Sequence, residues 1–301
     1  MDIERMNAEF AIEEQLTISA GPGGFPMLQI ETGAARATIS LYAGQVLAYR
    51  PAGQAEDLLF LSEKAYYAAG KAIKGGIPVC WPWFGPDPEG QGRPAHGFVR
   101  NRPWNLLATE ARPDGSIQVR LGLSDTEETR TIWPHAFELE IEIVVGATLE
   151  TALVTRNRGE APFVLSQALH TYFRVGEIDR VRVLGLEGTT YIDKMDGGLE
   201  KPQAGAVLID REVDRIYTGV AGHLTIEDSG LGRRIGIDTA GSASAVVWNP
   251  WAATAAAMAD LDDEDYRSLL CVETTNAGPD LIEVAPGGEH RMSATYSVSA
   301  L

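Results

Sequence analysis

Two side chains in this 301-residue sequence end apolar runs with a group that can move a proton. His170 closes FVLSQALH and precedes TYF, and Glu273 interrupts LLCVETTN. An imidazole between aromatic neighbours is partly desolvated, and its ordinary pKa of about 6.5 lies within reach of working pH. Read locally, His170 is either a hydrogen-bonded core histidine or an acid–base group. A carboxyl group at the end of an apolar strand is costly unless it is paired or used. On neighbouring strands, the two make a general acid and a general base.

Other chemistries find no motif. The sequence has no GxSxG elbow, Walker loop, HExxH pair or CxxC, and GPGGFP lacks the last glycine of a dinucleotide fingerprint. DLDDEDY at 260–266 has the acids of a calcium loop, but Asp265 stands where the turn glycine belongs, so it reads as an exposed acidic turn. Among the other histidines, His223 and His290 begin strand-like runs beside glycines and read as surface residues, while His135 lies in a turn after Trp133 and Pro134. No two histidines have metal-ligand spacing, and neither a metal nor a coenzyme is expected.

The elements that must carry His170 and Glu273 read as strands. In FELEIEIVV, Phe137, Leu139, Ile141 and Ile143 alternate with Glu138, Glu140 and Glu142, the period of a half-buried strand. Similar runs recur as RATISLY, SIQVRLGL, PFVLSQAL, RVRVLGL, HLTIED, RRIGIDT, SAVVWN, LLCVET and HRMSATYSV, separated by turn residues. Helical pattern is confined to SEKAYYAAGKA and to the stretch after Pro250. The expectation is an all-β chain, a large antiparallel β-sandwich with few short helices, forming one domain over residues 1–301.

Composition narrows the partners. A formal charge of −17 disfavours nucleic acid and anionic membrane surfaces, and no apolar run approaches the roughly 18 residues of a membrane span. The N-terminal MDIERMNAEF lacks the features of a secretory signal, and Cys80 and Cys271 are too few for a disulfide framework, so a reducing cytoplasm is the expected home. Any anionic substrate needs a local basic pocket.

KGGIPVCWPWFG at 74–85 concentrates glycine, proline and aromatic residues, and AHGFVR follows at 95–100. Pro78 and Pro82 would each delete a ladder hydrogen bond in a central strand, so a core strand does not account for the segment. Together with ALHTYFRV, YIDK, VWNPW followed by MAD, and CVETTNA, these blocks resemble the glucose-6-phosphate 1-epimerases, hexose-6-phosphate mutarotases within the aldose 1-epimerase superfamily. The matches keep their order from about residue 74 to the C-terminus.

The resemblance implies a galactose mutarotase-like sandwich and a hexose 6-phosphate substrate, with KGGIPVCWPWFG as a rigid lip of the cleft where Gly75 and Gly76 let backbone approach the ligand and the aromatic faces meet sugar C–H surfaces; the other reading of that segment is a packed aromatic core loop. It implies that His170 protonates the sugar ring oxygen and Glu273 takes the anomeric proton. By the same likeness His96 and Asp193 would bind the sugar, and Lys74 and Arg100 the phosphate. Lys74 departs from the arginine common before GGIP and lacks its planar fork. Arg93 and Arg102 flank the AHGFVR block and read as solvated charges or as supplements to the phosphate grip. A monomer is the expected state. The rival readings are an epimerase of unphosphorylated aldoses, a carbohydrate-binding sandwich without turnover, and a glycoside hydrolase or lyase, whose two-carboxylate scheme fits a histidine and a glutamate less well.

Overall fold

The computed structural model describes residues 2–301. Antiparallel sheets dominate it. The nine-stranded sheet runs Val207–Leu208, Val181–Leu184, His223–Asp228, Arg233–Ala240, Glu289–Ala300, Leu149–Asn157, Phe137–Val145, Ile117–Ser124 and Asn105–Ala111. The eight-stranded sheet runs Leu199–Pro202, Thr190–Asp193, Val213–Thr218, Ser244–Asn249, Leu269–Asn276, Gln167–Leu169 and Val79–Cys80, with Tyr172–Arg174 also on Leu269–Asn276. Leu16–Ala20, Pro26–Glu31, Ala35–Ser40 and Gln45–Pro51 form a four-stranded sheet.

Alternation fixes what each face of these sheets does. On the nine-stranded sheet Phe137, Leu139, Ile141 and Ile143 point into the core, while Glu138, Glu140 and Glu142 meet Arg158, Arg120, Arg156 and Arg291 on the outer face. On the eight-stranded sheet Leu270 and Val272 join the same core, while Cys271 belongs to a second apolar cluster on the opposite face. The two large sheets are tied by Trp81 Nε1, which donates to Thr155 Oγ1 at 3.0 Å, and by the Thr171 and Tyr296 hydroxyls at 2.7 Å.

Every strand-like run named above contains a strand, with one refinement. PFVLSQAL is two strands, Phe163–Leu165 and Gln167–Leu169, broken at Ser166, whose hydroxyl takes the Phe84 N–H. The helical expectations fare less well. SEKAYYAAGKA forms turns, because Ala65 and Tyr67 pack as a strap against Met27, Tyr42 and Ile73 instead of presenting a helical stripe. After Pro250 the helix covers only Trp251–Ala257. Two short helices, Ile3–Phe10 capped by Asp2 and Glu127–Ile132 capped by Thr126, were not foreseen.

KGGIPVCWPWFG is a sheet edge more than a lip. Val79–Cys80 pairs with Leu169 and Ala168 at the rim of the eight-stranded sheet, and the flanking prolines sit outside that two-residue strand. Trp81 and Trp83 are buried, and Trp81 packs against Phe98, Trp133 and Phe137. They serve the core rather than a sugar. The bare backbone of Gly76 likewise faces protein, since a Cβ there would lie 2.2 Å from the Val46 carbonyl oxygen.

That contact makes a prediction. Gly76 has φ +64°, so Gly76→Ala adds both left-handed strain and a clash. We expect a loss of at least about 2 kcal/mol of stability, read as a lower thermal midpoint. An unchanged midpoint with an altered KM would restore the ligand-approach reading.

Candidate active site

Register brings the proton-moving pair together. Leu169 pairs with Thr274 and Tyr172 with Cys271, which sets His170 opposite Glu273 across the same antiparallel ladder. Between the strands the His170 N–H leaves that ladder and donates to the Pro78 carbonyl at 2.9 Å, while the Tyr172 N–H donates to Gly76 at 2.9 Å. GGIP therefore holds the backbone of the histidine segment from its other side. His170 Nδ1 ends 3.5 Å from Glu273 Oε1, and both side chains are buried.

The pair lacks conventional partners. Among the described residues, His170 Nδ1 and Glu273 Oε2 have no hydrogen bond. Burial pushes the His170 pKa well down, with His96, Arg100 and Lys74 adding to it. Burial pushes Glu273 well up, helped by Asp214 and opposed by Lys194 and Arg100. Both directions favour a neutral imidazole and a protonated carboxyl.

Aromatic packing orients the imidazole in place of a hydrogen bond. The Tyr172 ring stacks on it at 4.9 Å and 8°, and His96 and Trp248 present edges at 5.6 and 6.2 Å. We expect Tyr172→Leu to lower kcat for anomer exchange roughly ten- to hundredfold with KM little changed, and Tyr172→Phe to retain most activity. Equal rates in the leucine and phenylalanine variants would show that the stack does not position the ring.

His96 faces His170 from an unusual backbone. Its φ is +65°, a region that costs a non-glycine residue about 1 kcal/mol. Tight packing holds it there: its N–H donates to the Gly85 carbonyl, its Nδ1 accepts from the Gly85 N–H, and the next residue, Gly97, lies so close to the Trp81 carbonyl oxygen that a Cβ would come within 1.8 Å. Burial, with Arg100, Lys194 and Lys74 nearby, lowers its pKa to about 3. His96 is thus neutral, and with Nδ1 accepting, Nε2 carries the proton as a fixed donor.

The charged residues divide into those that reach the pair and those that do not. Arg100 and Lys74 act electrostatically on His170 and His96, helping to lower the pKa of each. Arg93 is clamped by Asp87 and the Ile132 carbonyl, and Arg102 by the Phe98 carbonyl and Glu128, so both are structural. Asp193 is not brought to the pair. It shares a cross-strand row with Arg215, Val247 and Val272, the core-facing row, whereas Glu273 shares one with Val246 and Ile216 on the other face. Lys201 also holds its carboxylate at 2.8 Å; burial alone would raise its pKa, but that bond and charge outweigh it and lower it.

Asp214 and Lys194 are the residues the sequence reading missed. Asp214 lies in the row of Trp248 and Cys271, on the face of Glu273, and Lys194 Nζ pairs with its Oδ2 at 3.0 Å. The signal was present in YIDK and VDRIY, but choosing between Asp193 and Asp214 needs the register of three strands. Together these side chains form a buried acid–base pair with a fixed neutral donor, one aspartate and three cations around it.

Such an arrangement suits proton shuttling on a polar, anionic small molecule, and comparison with known proteins decides the family. The family model described as Aldose 1-epimerase matches residues 26–297. The chain belongs to the aldose 1-epimerase family. It is 40% identical over 243 residues to an Escherichia coli (strain K12) protein provisionally named glucose-6-phosphate 1-epimerase, covering 80% of each chain. A Cenchrus ciliaris protein of the same provisional name is 37% identical over 264 residues, 85% of this chain and 79% of its own. Among solved structures, a Salmonella typhimurium protein provisionally described as a mutarotase superposes with TM-score 0.89 at 31% identity over 99% of both chains. A galactose mutarotase-like protein from Clostridium acetobutylicum shares the fold at TM-score 0.74 and 14% identity, covering 95% of this chain and 98% of that one. An isomerase-type enzyme acting on a sugar is the activity class of this family, and the galactose mutarotase-like sandwich is its fold.

Proposed function

We propose that this member of the family interconverts the α and β anomers of hexose 6-phosphates, with His170 and Glu273 as the proton-moving groups. The observation that carries the reading is the buried pair, opposed in register at 3.5 Å, with Lys74, Arg100 and Lys194 close enough to bias its protonation. The names of the relatives support the phosphorylated substrate.

Anomer exchange needs no redox change and no group transfer. In the ionised form of the pair, Glu273 takes the anomeric hydroxyl proton while His170 gives one to the ring oxygen, and the ring opens to the aldehyde. The pair is then neutral, the state that burial favours. After the C1–C2 bond turns, Glu273 returns its proton to the carbonyl oxygen and His170 removes one from the C5 hydroxyl. Total charge is conserved at every step. His96 Nε2–H would donate to the sugar near the ring oxygen, and Arg100, with Lys74, would hold the phosphate.

One observation favours epimerisation of unphosphorylated aldoses as the second reading: Lys74 already has a carboxylate partner, Asp260, at 3.6 Å. Exchange measured on glucose 6-phosphate and glucose side by side separates the two. A clear preference for the phosphate supports our reading; equal or faster exchange of the free sugar overturns it in favour of the second.

A further inference from the structure

Lys74 is mostly buried and is held by two groups beyond the helix Trp251–Ala257. Its Nζ lies 3.6 Å from Asp260 Oδ1 and 3.9 Å from Met258 Sδ, and the two charged side chains retain 17% and 22% exposure. The segment presenting them is pinned. Met258 N–H closes the helix on the Ala255 carbonyl, Leu261 and Tyr266 are buried in the cluster that contains Tyr172 and Phe60, and Lys64 ties Asp262 at 3.0 Å. The charge of Lys74 also helps lower the pKa of His96 and of His170. The same ammonium therefore meets a held carboxylate and acts on both histidines.

A largely enclosed ammonium is favoured by a nearby counter-ion, and Asp260 supplies it. A phosphate arriving at the same ammonium adds negative charge beside that carboxylate, and part of its attraction to Lys74 is cancelled by repulsion from Asp260. A neutral sugar disturbs nothing. We propose that Asp260 is the counter-ion with which a bound phosphate competes for Lys74, and that it sets how strongly the site prefers phosphorylated over free sugars. The inference rests on the reading of Lys74 as a phosphate ligand.

The test compares wild type, Asp260→Asn and Lys74→Gln, using inorganic phosphate as an inhibitor of exchange and the ratio of kcat/KM for glucose 6-phosphate to that for glucose. The ratio is independent of the fraction of protein that folds, and Asp260→Ala provides a second variant without the amide. Removing the carboxylate is expected to tighten phosphate inhibition and raise the ratio roughly five- to tenfold. Lys74→Gln is expected to lower both. If Lys74→Gln weakens phosphate binding while the Asp260 variants leave it unchanged or weaken it, Asp260 orients Lys74 and the proposal is overturned. If Lys74→Gln has no effect, the phosphate reading of Lys74 falls, and the proposal with it.

Discussion

Glu273→Gln is expected to lower kcat for anomer exchange by roughly 10²- to 10⁴-fold and to leave the protein at least as stable as wild type. The two halves of the result have one cause. Glu273 is a fully enclosed carboxyl with Oε2 unpartnered, whose pKa burial drives well above the carboxylate range. Folding pays for that enclosure, because a polar group without partners is taken from water. Glutamine keeps the shape and removes the ionisation, so the thermal midpoint holds or rises while the proton path is cut. Assays of exchange rate and melting temperature on the same preparation check both halves. Full activity in this variant and in His170→Ala would remove the pair from the chemistry.

The second large effect concerns the phosphate. Arg100→Met should raise KM for glucose 6-phosphate roughly ten- to hundredfold, the worth of a charge-assisted hydrogen bond of about 1.5–3 kcal/mol, and leave KM for glucose nearly unchanged. Arg100 suits the comparison because its one side-chain bond, to the Ala95 carbonyl, leaves donors of the guanidinium uncommitted, and because its removal strands no carboxylate. Lys74 is less clean, since its loss would leave Asp260 without its partner. Kinetics on both sugars measures the discrimination, and parallel losses on the two substrates would show that Arg100 does not bind phosphate.

How far these residues could be read from sequence depends on the range of interaction that places them. His170 and Glu273 were legible because each ends an apolar run locally, and because the blocks around them keep a familiar order. Their distance was not, since it comes from the pairing of Leu169 with Thr274. Asp214 went unread for the same reason. Asp193 and Asp214 both lie on short strands with similar flanks, and only the continuous register from Thr190–Asp193 through Ser244–Asn249 to Leu269–Asn276 tells which one shares a face with Glu273.

The tryptophans misled differently. An aromatic–proline run resembles a sugar platform, but Trp81 is enclosed by Phe98, Trp133 and Phe137, which arrive from other parts of the chain. Alternation made the long strands plain, whereas the six-residue helix Glu127–Ile132 owes its existence to a capping box between Thr126 and Thr129 too short to produce a period.

Saturation transfer between the α and β anomeric protons of glucose 6-phosphate tests the central claim most directly, with wild type, the His170→Ala/Glu273→Gln double variant and a protein-free blank in the same buffer. The account predicts exchange well above the blank for wild type and indistinguishable from it for the double variant. Wild-type exchange equal to the blank, or undiminished exchange in the double variant, would contradict it.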